Sequence, residues 1–282
     1  LAGETFFEFA TETNTSIIEA LQTAANKESV QFDMRTRSEV IVEARAAGLE
    51  LYADPGRVTW RIDGKEEYAL GRMSNTSIIL CNELGEWFVY ETDEHGFNNP
   101  AGIWGRKEIS VVSIGDSFTW GACVHPYNSA PARIRASHPD SLNLGISGTG
   151  SLEQLAVIKE YLGELQPQTV LWFYFEGNDL NDMMEENKET RETTLVRGYL
   201  ESDNRQDLKS KQLELDKILK RAIDSKLEEN LSRELESKKI MEGRMAHSFA
   251  ILERGPSKFQ RLRRIAFLSN LRSRLVQATK NQ

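Results

Sequence analysis

Ile109-Ser110-Val111-Val112-Ser113-Ile114-Gly115-Asp116-Ser117-Phe118-Thr119-Trp120-Gly121 is the stretch on which the reading of the chain turns. Its first half is a short apolar, β-branched run closed by glycine, the pattern of a strand buried in a parallel sheet. Gly115-Asp116-Ser117 then sets a hydroxyl where that strand ends, and in open α/β sheets ligands bind at the carboxyl edge. An ordinary turn with Asp116 or Ser117 capping the next helix explains those three residues equally well. The segments downstream of Gly121 decide between the two.

Downstream there are two further strand and loop units. Asp140-Ser-Leu-Asn-Leu-Gly reads as a second strand, leading into Ile146-Ser-Gly-Thr-Gly. Thr169-Val-Leu-Trp-Phe-Tyr-Phe reads as a third, continuously apolar as a central parallel strand should be, and leads into Glu176-Gly-Asn-Asp. Ser129 to Ala136, before the second strand, and Ser151 to about Leu165, before the third, read as helices. The second carries an apolar stripe of Leu152, Leu155, Ala156, Ile158, Tyr161 and Leu162, and Ser151 with Glu153 and Gln154 gives it a capped start. Alternating strands and helices imply right-handed crossovers and a doubly wound, flavodoxin-like parallel sheet.

Gly115 to Gly121 fills every fixed position of Gly-Asp-Ser-x-Thr-x-Gly and resembles the first block of the SGNH/GDSL hydrolases. Asn143-Leu-Gly-Ile-Ser-Gly is similar to the second block and Glu176-Gly-Asn-Asp to the third. Asp93-Glu-His-Gly-Phe-Asn-Asn-Pro, Arg35-Thr-Arg-Ser-Glu-Val and Cys81-Asn-Glu resemble one bacterial esterase and acyl hydrolase branch, so the likeness extends over most of residues 33 to 182. The resemblance implies cleavage of carboxylic (acyl or acetyl) esters through an acyl-enzyme, with a small-molecule or carbohydrate ester as substrate and no metal or organic cofactor. Ser117 would be the nucleophile. The backbone N–H groups of Gly148 and Ser117 and the carboxamide of Asn178 would hold the oxyanion. Glycine suits position 148 because a Cβ would obstruct the approaching carbonyl, and asparagine donates an N–H without carrying a charge. The same residues in related proteins acetylate polysaccharides, and a non-catalytic binding or scaffolding protein would keep the same sheet. A dinucleotide loop is disfavoured, since Gly145-x-x-Gly148-x-Gly150 reverses the order of Gly-x-Gly-x-x-Gly.

The general base is the missing part. The family's last block is Asp-x-x-His near the C-terminus, but His95, His125, His138 and His247 are preceded three residues earlier by Thr92, Ala122, Arg135 and Arg244. The expectation is a chain truncated before that block, with the His/Asp pair beyond Gln282 and the fragment alone nearly inactive. His95, near Asp93 in a turn-rich linker, reads as an ordinary surface residue or one that supports the site from behind, and His125 as a loop residue.

A net charge of −8 argues against nucleic acid as a partner, and no apolar run of about eighteen residues occurs. Residues 1 to about 105 read as a small α+β accessory region. It holds a helix from Asp33 to Gly48 opened by a Thr36/Glu39 capping box, an Asp54-Pro-Gly turn, and strands at Val58 to Ile62, Thr76 to Cys81 and Glu86 to Glu91. Residues 106 to 182 read as the hydrolase core, and residues 183 to 282 as a charged helical extension in which Leu215, Leu219, Ala222, Ile223, Leu227 and Leu231 keep helical spacing. A solvated helical hairpin packed on the core is expected there rather than a lid or a partner surface. The segment 254 to 282 is basic around Phe259, Leu262 and Ile265, which suits either an anionic membrane surface or pairing with the acidic stretch before it. The start at Leu1, without methionine, places the natural start upstream. Leu1 to Phe9 resembles the segment that follows a membrane anchor in exported relatives, and a surface helix start explains it equally well, so an exported or membrane-anchored (periplasmic) protein is the expectation over a cytoplasmic one. Cys81 and Cys123 are read as two buried free thiols or, in an oxidising compartment, as a disulfide tying the first region to the core.

Overall fold

The computed structural model describes residues 32–253 except 63, 164, 180, 181, 183 and 185–187, with the side chains of 62 and 241–253 left aside. The chain divides into two compact units, Leu1–Leu227 and Glu228–Gln282. The anchor-adjacent likeness of Leu1 to Phe9 and the basic segment 254–282 lie outside the described residues.

The first helix, α1 (Arg37–Ala46), starts where its sequence dictates. Thr36 Oγ1 accepts the Glu39 N–H at 3.1 Å and the Glu39 carboxylate accepts the Thr36 N–H at 2.9 Å, so two otherwise orphaned donors are satisfied. Asp54 Oδ1 accepts the Gly56 N–H at 2.6 Å and closes the Asp-Pro-Gly turn. Three strands, β1 (Leu51–Ala53), β4 (Ser77–Ile79) and β5 (Val89–Glu91), form a mixed sheet in the order β1-β4-β5, while β2 (Thr59–Ile62) and β3 (Lys65–Tyr68) make an antiparallel hairpin. Neither β1 nor β3 is among the strands expected from the sequence. Lys65-Glu-Glu-Tyr has poor strand propensity, and pairing with β2 overrides it.

A second sheet is wholly parallel. β6 (Val111–Ile114) lies between β7 (Ser141–Asn143) and β8 (Thr169–Trp172), with Ser113 opposite Asn143 and Ile114 opposite Trp172. All four residues of β6 are buried, as an apolar run between two neighbours requires. The expectation that Thr169 to Phe175 forms a central strand is corrected. β8 has one partner among the described residues, and Val170 and Trp172 are 44% and 46% exposed.

Ser117 opens a single-turn helix, α2 (Ser117–Trp120), and α3 (Ala130–Ser137) comes next with Ser129 as its N-cap. Between β7 and β8 runs α4 (Ser151–Tyr161). Its cap residue is Gly150 rather than Ser151, and the Glu153 carboxylate accepts the Gly150 N–H at 3.0 Å. The helix stops at Tyr161, short of Leu165, where Gly163 and Pro167 disfavour further turns.

Two helices complete the described chain, α5 (Arg191–Glu201) and α6 (Leu208–Glu253). The buried Glu160 carboxylate of α4 accepts the backbone N–H groups of Gln206 and Leu208 and the hydroxyl of Tyr199, fastening the entry to α6. Leu215, Leu219, Ile223 and Leu227 are buried at the anticipated spacing. The first three join one core with Tyr52, Trp60, Ile78, Val112 and Ile146. Asp216 accepts the Ser74 N–H and hydroxyl at 3.0 and 2.7 Å, and Arg45 pairs with Asp224 at 2.9 Å. This part of α6 is therefore packed on the core, as expected. No described helix is long and apolar enough to cross a membrane.

Cys81 and Cys123 form a disulfide with Cα atoms 5.6 Å apart, which replaces the reading of two free thiols. It ties the segment after β4 to the turn that succeeds α2. Beside it the Tyr90 hydroxyl donates to the Val124 carbonyl at 3.0 Å.

Candidate functional site

The site is built where the three parallel strands end. At Gly115, directly after β6, a Cβ would stand 2.1 Å from Thr119 Oγ1 and 3.0 Å from the Phe173 carbonyl oxygen, so only glycine admits this close approach of the chain leaving β8. Asp116 caps α2, its Oδ1 accepting the Phe118 N–H at 2.9 Å. Its other oxygen accepts the Asn178 Nδ2–H at 3.0 Å. One buried carboxylate thus joins the Ser117 turn to the loop after β8. Ser117 itself is half-buried, and its Oγ has no hydrogen-bond partner among the described residues.

Gly148 lies in the loop after β7. The Ile146 N–H donates to the Gly115 carbonyl at 3.1 Å, Thr149 Oγ1 donates to the Ile146 carbonyl at 2.8 Å, and Gln154 Nε2 donates to the Thr149 carbonyl at 3.0 Å. Gly148 has φ +73°, and a Cβ there would meet nothing within 4 Å. Within the chain itself, the left-handed backbone favours glycine here, and the space beside it is open on the side where an approaching carbonyl was expected to require it.

Asn178, which the resemblance implies as an oxyanion donor, has its amide engaged within the chain. Its Nδ2 is directed at Asp116 and, at 3.3 Å, at Asp182 Oδ2, while its Oδ1 is buried without a partner. Asp179, the next residue, accepts the Phe175 N–H and fixes the turn. The structure thus joins Ser117 to Asn178 through Asp116, and joins the Gly148 loop to the same strand end through Ile146 and Gly115.

Arg57 is a residue that sequence reasoning missed. Its Nε donates to Glu153 Oε1 at 3.0 Å and its Nη2 to the Gly148 carbonyl at 3.4 Å. Burial opposes its charge, but Glu153, with contributions from Tyr68 and Asp182, holds the guanidinium pKa above its ordinary value. Arg57 also lines a cavity of about 60 Å³ with Leu152, Glu153, Thr190, Thr193 and Val196. No local signal in the Asp-Pro-Gly-Arg turn announces this role. Asp182, by contrast, stands four residues after Asn178, a helical spacing that makes the contact legible.

The three histidines whose side chains are described make their contacts away from Ser117. His95 packs edge-on against Trp104, with ring centroids 4.7 Å apart, and burial lowers its pKa despite the opposing pull of Asp93. Asp93 itself accepts the N–H groups of His95 and Phe97, Asn99 Nδ2 and Trp104 Nε1, so it organises the linker and does not orient an imidazole. Burial nonetheless raises its carboxyl pKa, against the pull of those donors. His125 stacks on Tyr127 and lies 3.5 Å from Glu86, and His138 is hydrogen-bonded to Ser137. The side chain of His247 is outside the described residues. Among the described residues no group of three His, Cys, Asp or Glu side chains is placed to hold a metal ion.

Two phenylalanines stand open at the same edge. Phe118 is 60% exposed and Phe175 is 47% exposed, with ring centroids 4.6 Å apart and an interplanar angle of 47°. No protein-family model matches the chain, and no curated protein or solved structure matches it.

Proposed function

We propose that this chain is a serine hydrolase of the SGNH/GDSL type that cleaves carboxylic esters through an acyl-enzyme on Ser117. The observation that carries the reading is the 3.0 Å bond from Asn178 to Asp116, which fastens the loop after β8 beside the candidate nucleophile. The strand order β7-β6-β8, with α3 and α4 as crossovers, supports the finer fold assignment too, since a doubly wound flavodoxin-like sheet begins in this way.

In this reading Ser117 Oγ attacks the ester carbonyl carbon and its proton passes to a base. The resulting oxyanion is held by the Gly148 and Ser117 N–H groups and by Asn178, whose longer bond to Asp182 yields to the substrate. The alcohol leaves with the proton, and water then attacks the acyl-enzyme to release the carboxylate. His95, His125 and His138 make their contacts elsewhere, so the base is to be sought outside the described residues. The Cys81–Cys123 disulfide supports an oxidising compartment.

The test is hydrolysis of p-nitrophenyl acetate by the intact protein. Ser117→Ala is expected to lower kcat by at least about 10³-fold, and Asn178→Ala by about 10²–10³-fold. Unchanged turnover in Ser117→Ala overturns the assignment. A second reading, a binding module that keeps the sheet edge without catalysis, is favoured by a Ser117 Oγ that has no partner among the described residues and by the engagement of both Asn178 contacts with carboxylates. It predicts no ester turnover by the intact protein under any condition.

A further inference from the structure

We propose that Phe118 and Phe175 form the acyl-binding surface of this site and favour esters of longer, apolar acids over acetyl esters. The proposal rests on the reading of Ser117 as nucleophile and adds to it the class of acyl group.

Phe118 is covalently next to Ser117, and Phe175 precedes Asn178 by three residues, so both are tied to the candidate catalytic groups. Their backbones are anchored there as well, the Phe118 N–H on Asp116 and the Phe175 N–H on Asp179. The rings pair with each other while leaving about half or more of each residue in solvent. Two pure hydrocarbon rings held open to water at a strand edge form an unfilled apolar surface. They offer no hydrogen bond, which distinguishes them from Trp172, whose Nε1 donates to Gln154 at 2.6 Å. A group lying on them is therefore recognised by its apolar area. An acetyl group on Ser117 carries a single methyl, whereas a longer acyl chain extends from Ser117 over the adjacent rings. Each methylene taken out of water is worth about fourfold in affinity.

The experiment uses the intact protein and two readouts. The first is binding of octanoate and acetate, monitored by tryptophan fluorescence or calorimetry, in the unaltered protein and in Phe118→Ala and Phe175→Ala. Both side chains are exposed, and an unchanged thermal midpoint checks that the fold is kept. Octanoate is expected to bind at least about tenfold more tightly than acetate, with each substitution removing most of that difference. Equal binding of the two acids, or octanoate binding untouched by either substitution, overturns the proposal. So does a dimer of the unaltered protein that the substitutions convert to monomer, because the rings then serve a second copy of the chain. The second readout is the ratio of kcat/KM for p-nitrophenyl octanoate and acetate, with the same expected loss of selectivity. If Ser117→Ala abolishes turnover while the ratio stays the same in both phenylalanine variants, the hydrolase reading stands and the acyl surface falls. If octanoate binds through the rings but Ser117→Ala leaves turnover intact, the rings remain an apolar site and the hydrolase reading falls.

Discussion

Asp93 and Asp116 are both buried, and both accept a carboxamide N–H from an asparagine, Asn99 at 2.8 Å and Asn178 at 3.0 Å. Their surroundings differ. Around Asp93 the network is closed: four donors converge on the carboxylate, and the Asn99 oxygen in turn accepts the Asn143 N–H and an Arg135 N–H. Around Asp116 it is open. Ser117 Oγ has no partner among the described residues, Asn178 Oδ1 is buried without one, and two phenylalanines face water. A closed network of buried polar groups specifies the fold, whereas unsatisfied groups beside an exposed apolar surface leave bonding capacity for something not part of the chain.

The disulfide supplies the largest expected effect bearing on this contrast, because it holds the sheet of the first region to the turn after the Ser117 helix. Cys81→Ser with Cys123→Ser releases a crosslink over 42 residues, and loop entropy puts the loss of stability at about 4 kcal/mol, measured by urea denaturation. Next comes Asp93→Ala, which orphans donors in a closed network and is expected to cost about 3 kcal/mol. Asp116→Ala removes a cap and one amide contact and is expected to cost about 1 kcal/mol. Equal losses for the two aspartates would break the comparison. Ser117→Ala, which deletes a half-buried hydroxyl without a partner among the described residues, should change stability by less than about 0.5 kcal/mol while abolishing turnover.

A smaller effect concerns pH. Burial lowers the His95 pKa, so the unfolded chain takes up a proton before the folded one does. Stability contributed by the neutral ring is therefore present above the unfolded value of about 6.5 and declines as pH falls below it toward the lowered folded value. Thermal midpoints measured from pH 7 to pH 5 should fall, and His95→Gln should flatten the decline. If the substitution leaves the slope unchanged, His95 is not the titrating group.

Local elements are legible in the sequence wherever a period and a cap coincide. The Thr36/Glu39 box, the buried run of β6 and the Leu215 to Leu227 stripe are all set by adjacent residues. Features that depend on distant partners are not legible. Charged β3 exists because β2 pairs with it, the apolar Thr169 to Trp172 run has a single neighbour among the described residues because of its position in the sheet order, and Arg57 reaches Gly148 across 91 residues of sequence. For the candidate site, the motif spacing points to Ser117, Gly148 and Asn178. It says nothing of where the Asn178 amide points or that Phe118 and Phe175 form an open pair.

The most direct measurement is covalent labelling of the intact protein with an alkyl fluorophosphonate, read out by peptide mass spectrometry. A nucleophile at the shared strand edge predicts one adduct, on Ser117, formed about 10²-fold more slowly in Asn178→Ala. An adduct on another residue, no adduct at all, or a rate indifferent to Asn178 would contradict it.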